Sequence, residues 1–244
     1  MVSRPVFAPM RDQVGVMEFE SKPFIWHPGF ALSQKQKNVE ELHEAILRDD
    51  PTQHPLEISS RSKTSLGVNL SAFNLGVWRD GKYLSVESVY QASKVFAGNI
   101  GPHPEWYSDN PGEVRNRIRD IAGAIVAYRL GHDEWGLNPT RAFYNWVYCR
   151  ALHKNKKLIE ELSGYTCFTD IAFNPQKSLN CQAYAISLYL SLVANGVADE
   201  ALSGKDIFLR FHPVDIVELR KTNALKRKRN SRLKKSIHQL VLDV

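Results

Sequence analysis

Three side chains at 85–96 have the types and the spacing that acid–base chemistry on one helix face requires. Glu87, Gln91 and Lys94 fall at positions i, i+4 and i+7, which lie within about 60° of one another around an α-helix. Ser85 is a favoured N-cap residue, and it would place Glu87 in the first helical turn, where free N–H groups favour an anion. We therefore predict that Glu87 is ionised at neutral pH.

An ionised glutamate suits the cleavage of a bond between the C1 atom of a ribose and a nitrogen. That reaction passes through an oxocarbenium-like cation, which a carboxylate can stabilise, and the attacking water can lose its proton to the same carboxylate. The spacing alone leaves a structural alternative open, in which Glu87 complements the helix dipole and pairs with Lys94 at the surface.

The residues around this helix resemble the opening signature of the NADAR family. The family combines a strand with a Ser-Asn-Phe sequence, a hairpin, and a helix whose glutamate is essential to activity. The stretch VNLSAFNLGVWRDGKYLSVESVYQASKVF at 68–96 follows this order, with Ala72 in place of the usual asparagine and Ser88 in place of the usual histidine. The matching residues are Ser71, Phe73, Glu87, Tyr90, Gln91, Ala92, Lys94 and Phe96.

Later segments extend the resemblance to a subfamily. GHDEW at 131–135 is similar to the region of the family's aspartate–tryptophan pair, FTDI places Asp170 where the family usually has an acid, and SLNCQAYAISLYL matches a later motif through Asn180. The usual D-x-x-W-G-x-G stretch is absent. Together with FIWHPGFALSQKQK at 24–37, these blocks cover about residues 24–195 and are similar to the NADAR antitoxins associated with DarT toxins.

The resemblance implies a function in the repair of DNA. DarT toxins of the relevant class attach ADP-ribose from NAD to guanine in DNA, and the associated NADAR proteins hydrolyse that bond. The substrate would be ADP-ribosylated DNA, the products ADP-ribose and repaired guanine, and the functional partner a DarT-type toxin. No cofactor and no metal ion are expected. The alternatives are an N-glycosidase acting on a phosphorylated ribosylamine, as in a riboflavin-precursor branch of the family, and a non-enzymatic antitoxin that binds its toxin or DNA.

The resemblance also assigns catalytic and positioning roles to the three residues of the helix. Glu87 would activate water or hold the ribose hydroxyls beside C1. Gln91 would position the ribose. Lys94 would either position the sugar or form a Schiff base with the ring-opened ribose, as lysine nucleophiles do with carbonyl groups.

Other residues are expected to contact the substrate. Trp135 would stack on a base, with packing in the core as the alternative. Asp170 would orient the ribose or cap the FNPQK sequence that follows it. His27 and Lys35 would line the DNA or diphosphate side of the pocket, with a structural role before the Pro-Gly turn as the alternative for His27. The remaining candidates for substrate binding are Ser71, Phe73, Tyr90 and Asn180.

The elements that must position these residues are predicted from apolar periodicity. Helical spacing of apolar residues predicts an amphipathic helix within 35–50. Segments 54–62 and 67–87 are typical of strands, and Asp80-Gly81 predicts a hairpin turn in the second. Helices are predicted over 85–96 and 118–130 and from Asn138-Pro139 onward. The predicted fold is α+β, a mainly helical single domain with a small antiparallel sheet.

Charge divides the chain into two parts. The 244 residues include 32 Lys and Arg and 26 Asp and Glu, but 220–235 hold nine of the basic residues and no acid, so 23 basic and 26 acidic residues remain elsewhere. We therefore predict a catalytic domain at 1–218 and a basic C-terminal segment at 219–244. The segment would attract DNA phosphates, or it would be a solvated tail.

Composition indicates a cytoplasmic protein. The chain has no apolar run long enough to cross a membrane, and its first residues lack the apolar core of a secretory signal. Its three cysteines are an odd number without a C-x-x-C pair, and its eight histidines lack the spacing of metal ligands. Disulfides, a structural zinc site and a membrane partner are therefore not expected.

Overall fold

Helices and short strands alternate along the whole chain that the computed structural model describes, residues 1–174 and 180–212. The predicted basic segment at 219–244 lies outside these residues. The helices are α1 (Leu32–Asp49), α2 (Ser65–Asn69), α3 (Val86–Ala92), α4 (Pro111–Arg119), α5 (Ala142–Lys154), α6 (Lys156–Glu161), α7 (Gln182–Ala194), α8 (Ala198–Ala201) and α9 (Lys205–Phe211). The strands are β1 (Pro5–Pro9), β2 (Val16–Glu20), β3 (Pro55–Glu57), β4 (Gly76–Arg79), β5 (Lys82–Ser85), β6 (Lys94–Phe96), β7 (Ile125–Leu130), β8 (Asp133–Trp135) and β9 (Cys167–Thr169). The α+β class is confirmed.

A four-stranded sheet joins the start of the chain to its later part. Its strand order is β2-β1-β9-β3, with β3 and β9 parallel and the other neighbours antiparallel. Helix α1 covers this sheet and buries Val39, Leu42 and Ile46 at helical spacing. The predicted amphipathic helix is therefore confirmed, because its apolar stripe has a sheet to pack against.

The hairpin β4–β5 forms where the Asp80-Gly81 pair predicted it. Asp80 has φ 51° and Gly81 has φ 73°, the positive angles that a two-residue hairpin turn requires. Trp78 faces Tyr83 across the two antiparallel strands. The hairpin delivers the chain directly into helix α3.

The strand predicted from residue 67 is wrong over its first part. Residues Ser65–Asn69 form α2, whose N-cap Thr64 accepts a hydrogen bond from the Gly67 amide at 3.1 Å. A Cβ atom at Gly67 would lie 2.1 Å from the Glu57 carbonyl oxygen, so only glycine allows α2 to approach β3 this closely. The alternating apolar residues here fill a short helix and a turn instead of a strand.

Two predicted helices are shorter than expected because strands take over their last residues. Helix α3 ends at Ala92, and Lys94 begins β6, which pairs with β7. The helix predicted over 118–130 is wrong after Arg119, since Gly123 has φ 109° and Ile125–Leu130 form the central strand of the sheet β6-β7-β8. The apolar residues of this segment satisfy either periodicity, and pairing with β6 selects the strand.

Helices α5 and α7 pack together in the centre of the largest core cluster. Most residues of both helices are buried. Helix α5 begins at Ala142 with Arg141 as its N-cap residue, so the start predicted at Asn138-Pro139 is wrong by a few residues. Within the described residues, no helix is both long enough and apolar enough to cross a membrane.

All three cysteines are buried and reduced. Cys149 lies in α5, Cys167 in β9 and Cys181 at the N-cap of α7. Burial raises the pKa of each thiol, that of Cys167 to about 11. These thiols behave as small apolar side chains of the core.

Candidate functional site

A carboxylate, an amide and an amine form one hydrogen-bonded chain at helix α3. The Ser85 hydroxyl caps the helix by accepting from the Ser88 amide at 3.1 Å, which places Glu87 in the first turn as predicted. The Gln91 Nε2 atom donates to Glu87 Oε1 at 2.9 Å, and Lys94 Nζ donates to Gln91 Oε1. The three residues do come together, although Lys94 reaches Gln91 from strand β6.

Burial has the largest effect on the Glu87 carboxyl. Only 8% of the residue is exposed, and this desolvation raises its pKa, while the Gln91 hydrogen bond and the charges of Arg115 and Lys94 act in the opposite direction. The carboxylate is therefore a stronger base than an exposed glutamate. Its ionisation at neutral pH stays a prediction, but the helix N-terminus is not the main influence on its pKa.

The pKa of the Lys94 amine is shifted toward neutral pH. Its pKa is lowered to about 8, mainly by burial; the Glu87 carboxylate acts in the opposite direction, and the charge of Arg115 adds to the lowering. The amine also lies 5.1 Å from the centre of the Tyr90 ring. A lysine with a pKa of about 8 has a neutral, nucleophilic fraction at physiological pH.

Tyr90 connects this chain to two further polar groups. Its hydroxyl lies 3.1 Å from the Tyr128 hydroxyl and accepts a hydrogen bond from Asn180 Nδ2 at 2.6 Å. Burial raises the pKa of the Tyr90 hydroxyl well above its ordinary value, so the group stays protonated. The site thus offers hydroxyl and amide groups beside Glu87 and Lys94, which are the partners that a sugar would require.

The turn after α2 fixes the backbone of helix α3. The Glu87 amide donates to the Ala72 carbonyl at 2.8 Å, and the Ala72 amide donates to Gln182 Oε1 at 2.5 Å. In the same turn Ser71 is 1% exposed, and its hydroxyl has no hydrogen-bond partner within the described residues. A buried hydroxyl in this state needs a further hydrogen-bond partner, such as a water molecule or a ligand group.

Asp170 anchors the other end of this connection. Its Oδ2 atom accepts from Gln182 Nε2 at 3.0 Å, and its Oδ1 atom accepts from the Ala172 amide at 3.1 Å. Burial raises the pKa of Asp170. It also raises the pKa of the neighbouring Glu57 to about 8, with a further contribution from the Asp170 charge. Asp170 therefore reaches the site through Gln182.

The comparison with known proteins decides the family. The model of the DarT1-associated NADAR antitoxins matches residues 2–222. The chain belongs to this family. No curated protein matches the chain. Because the match covers residues 2–222 of the 244, the predicted membership of the DarT1-associated NADAR antitoxins is confirmed.

Three residues that the NADAR resemblance assigned to substrate binding, Trp135, His27 and Lys35, have contacts outside the Glu87–Gln91–Lys94 chain, and their roles in binding stay predictions. Trp135 is 2% exposed, and its ring packs against Phe143, Trp146 and Phe208, as its core-packing alternative predicted. Phe73 is half-buried in the turn after α2. Hydrogen bonds join His27 to Asn38 and Glu41. The Lys35 amine lies over the rings of Trp26 and Phe30.

Sequence reasoning missed two residues that act on the NADAR site. Arg115, an exposed side chain of α4, contributes positive charge at both Glu87 and Lys94. Gln182 joins Asp170 to the Ala72 amide. The Asn110-Pro111 pair is typical of a helix N-terminus, and a helix predicted from it would have contained Arg115. No local pattern indicates the Gln182 contact, which links residues 110 positions apart.

Among the described residues, no group of three or more His, Cys, Asp or Glu side chains is placed to hold a metal ion. The chemical groups that the site does hold are a carboxylate, an amine, amides and hydroxyls. They can move protons, stabilise a cation and add to a carbonyl carbon.

Proposed function

We propose that this NADAR antitoxin hydrolyses the N-glycosidic bond between ADP-ribose and guanine in DNA, and so reverses a modification made by a DarT1-type toxin. The observation that carries the proposal is the buried chain Glu87–Gln91–Lys94. A surface ion pair would not need burial, and a purely binding protein would not need a base and an amine with pKa values shifted toward neutrality. The family association supplies the toxin as functional partner.

Glu87 is the proposed base and cation stabiliser. As the bond from C1 to the guanine nitrogen breaks, positive charge develops on C1 and the ring oxygen, and the Glu87 carboxylate opposes it. The same carboxylate accepts a proton from the water that adds to C1, and the leaving guanine takes up a proton. Its raised pKa strengthens the base.

Lys94 has two possible roles, which differ in whether a covalent bond forms. In the first, the ammonium group donates to the sugar oxygens. In the second, the neutral amine adds to C1 of the ring-opened sugar, guanine leaves with a proton, and water hydrolyses the resulting imine to release ADP-ribose and the free amine. The lowered pKa of about 8 supports the second role.

The groups around this chain are suited to the sugar. The Tyr90 hydroxyl, the Asn180 amide and the buried Ser71 hydroxyl surround or adjoin the helix that carries Glu87. Arg115 supplies the positive charge that a diphosphate would require. These residues support a phosphorylated ribose as ligand.

The deciding experiment follows ADP-ribose release from a guanine-modified oligonucleotide by mass spectrometry, with a thymine-modified oligonucleotide alongside. We expect release from guanine only, and a loss of about 10³-fold or more in Glu87→Gln. Glu44→Gln, an exposed glutamate of α1, is the matched control and should keep full activity. Turnover retained in Glu87→Gln would disprove the assigned base.

Two further outcomes would point to the alternatives. Hydrolysis of a phosphorylated ribosylamine, without action on modified DNA, would assign the chain to the riboflavin-precursor type of activity. Tight binding of ADP-ribosylated DNA or of a DarT1 toxin without any turnover would indicate a non-enzymatic antitoxin. Borohydride reduction during turnover tests the covalent route, since only an imine yields a stable adduct, and Lys94→Ala would lose it.

A further inference from the structure

A cavity lies on a different face of helix α3 from the Glu87 carboxylate. It has a volume of about 1050 Å³ and is enclosed by hairpin β4–β5, helix α5 and the β7–β8 turn. Val86 and Val89, one helical turn apart, line it, whereas Glu87 and Gln91 do not. We call this cavity the hairpin groove. The chemistry proposed for Glu87 does not use it.

The lining of the hairpin groove is predominantly positive. Its cations are Arg79, Arg129, Arg150 and Lys154, and its acid is Asp133. Arg150 and Lys154 stand four positions apart on α5, so both side chains point to the same side of the helix. Both are exposed. Two adjacent cations at fixed spacing suit a chain of phosphates.

The arginines on the two hairpins already have acidic neighbours. Arg129 donates to Glu134 at 2.8 Å, and Arg79 lies 3.6 Å from the Asp80 carboxylate in an exposed pair. Within the described residues, neither Arg150 nor Lys154 has an ion-pair partner in this structure, and Arg150 instead lies over the Trp146 ring at 5.0 Å. The uncompensated charge of the groove is therefore concentrated on α5.

An exposed aromatic pair forms another wall of the groove. Trp78 is 74% exposed and Tyr83 is 37% exposed, and their ring centres are 5.4 Å apart. The Tyr83 hydroxyl is held by the Asn74 carbonyl, which fixes the ring. A large exposed indole is unfavourable in water unless a partner covers it, and aromatic rings beside cations are the platform on which unpaired bases stack.

We propose that the hairpin groove binds a single-stranded segment of DNA, with phosphates at Arg150 and Lys154 and a base on Trp78. An acidic peptide would use the two cations but not the indole face. The inference rests on the proposed function in one respect, because it names the surface that holds DNA next to the modified guanine. Its test uses unmodified DNA, so the two ideas can fail separately.

The test measures the fluorescence anisotropy of a labelled, unmodified oligothymidylate with the full-length protein. The double variant Arg150→Glu, Lys154→Glu should bind at least about tenfold more weakly. The slope of log affinity against log salt should become shallower by about 1.4, which is about 0.7 for each lost phosphate contact. The basic segment at 220–235 is unchanged in this variant.

A matched control separates local contacts from net charge. Lys22 and Arg48 are exposed cations beside the four-stranded sheet and on α1, and their reversal to glutamate changes the net charge by the same amount. This control should weaken binding by no more than about twofold, since distant charges are screened by salt. Equal losses in the two double variants would overturn the proposal.

The aromatic contact is tested by Trp78→Ala, a change at an exposed side chain that should leave the fold intact. We expect binding of the oligothymidylate to weaken about tenfold, as is usual when one stacked base is lost. A duplex of the same length should lose less, because its bases are not free to stack. Unchanged binding in Trp78→Ala, or stronger binding of a polyglutamate peptide than of the oligonucleotide, would overturn the proposal.

Activity measurements keep the groove distinct from the catalytic proposal. Groove variants should hydrolyse ADP-ribosylated guanosine, which has no flanking strand, at the normal rate, and should show a raised KM only for the modified oligonucleotide. The unaltered protein could hydrolyse neither substrate while its DNA binding still depends on Arg150, Lys154 and Trp78. That result would disprove the proposed hydrolysis and support DNA binding by the hairpin groove.

Discussion

Two buried glutamates, Glu87 and Glu57, differ in the charge of their neighbours. Burial raises the pKa of both. The carboxylate of Glu87 meets the Gln91 amide and, through it, the Lys94 amine. The carboxylate of Glu57 accepts from the Ser59 and Thr169 hydroxyls at 2.6 Å each and from the Ile171 amide. A buried carboxylate beside a cation is equipped for proton transfer, whereas one that lies beside a second carboxyl group, Asp170, and accepts from hydroxyl and amide donors holds a structure together.

The two clusters are joined through a single side chain. Gln182 donates to Asp170, which adjoins Glu57, and accepts from the Ala72 amide, whose residue holds the Glu87 backbone. The Glu57 cluster therefore supports the Glu87 cluster without touching its carboxylate. Substitutions in the Glu87 cluster, in the Glu57 cluster and at Gln182 are therefore expected to have different effects.

Removal of the Lys94 amine should have the largest effect on turnover. Lys94→Met keeps most of the side-chain volume but leaves Glu87 without its amine, and we expect turnover of modified DNA to fall by about 10³-fold. Lys94→Arg restores the positive charge but not a nucleophilic amine. Single-turnover rates of both variants separate the two roles. Near-normal rates in Lys94→Arg would exclude the imine route.

Replacement of Glu57 by a neutral glutamine should change the stability of the fold and leave the chemistry at Glu87 intact. The folded pKa of Glu57 is raised to about 8 from an ordinary value of 4.5. Its contribution to stability is therefore present below pH 4.5 and is lost as the pH rises through 8. Glu57→Gln should reduce the loss in unfolding free energy between pH 5 and pH 9 by about 4 kcal/mol. Urea denaturation at both pH values measures it, and an identical pH dependence in the variant would contradict it.

Breakage of the link should have an intermediate effect on both properties. Gln182→Met removes both hydrogen bonds of the side chain and leaves Asp170 and the Ala72 amide unsatisfied, so we expect a loss of about 2 kcal/mol in unfolding free energy. Because Glu87 would be less well positioned, kcat should fall about tenfold with KM nearly unchanged. Asn195, whose amide donates to the Ser191 carbonyl at the end of the same helix, provides the control Asn195→Ala. A loss of stability without a loss of kcat would show that Gln182 only supports the fold.

The smallest effect is expected at the N-cap of helix α3. The Ser85 hydroxyl accepts from the Ser88 amide and donates to the Ser88 hydroxyl. Ser85→Ala should therefore cost about 1 kcal/mol of unfolding free energy, while Ser85→Asp should retain most of the cap. Thermal denaturation of the two variants tests this order, and equal stabilities would contradict it.

Local patterns in the sequence were sufficient for several of these elements. The α1 stripe, the Asp80-Gly81 turn and the Ser85 cap each depend on residues within one or two turns of chain, and all three predictions are confirmed. The spacing of Glu87 and Gln91 on one helix face also determines their contact. Such features are predictable because neighbours along the chain decide them.

Other features depend on contacts between distant residues. Lys94 leaves the helix because β6 pairs with β7, and Trp135 lies in the core because α5 and α9 pack on it. The charge of Arg115 and the amide of Gln182 act on the site only after α4 and α7 have docked. The predicted domain limits at 218 and 219 and the roles assigned to His27 and Lys35 remain predictions.

The three buried cysteines allow transient opening of the core to be measured by chemical labelling. Because Cys149, Cys167 and Cys181 are inaccessible and their thiols are protonated, alkylating reagents should label them only when α5, β9 or the start of α7 transiently separates from the core. A cysteine introduced at an exposed position would be labelled at once. Mass spectrometry can therefore follow the accessibility of a chosen surface site and the transient opening of the core in the same sample.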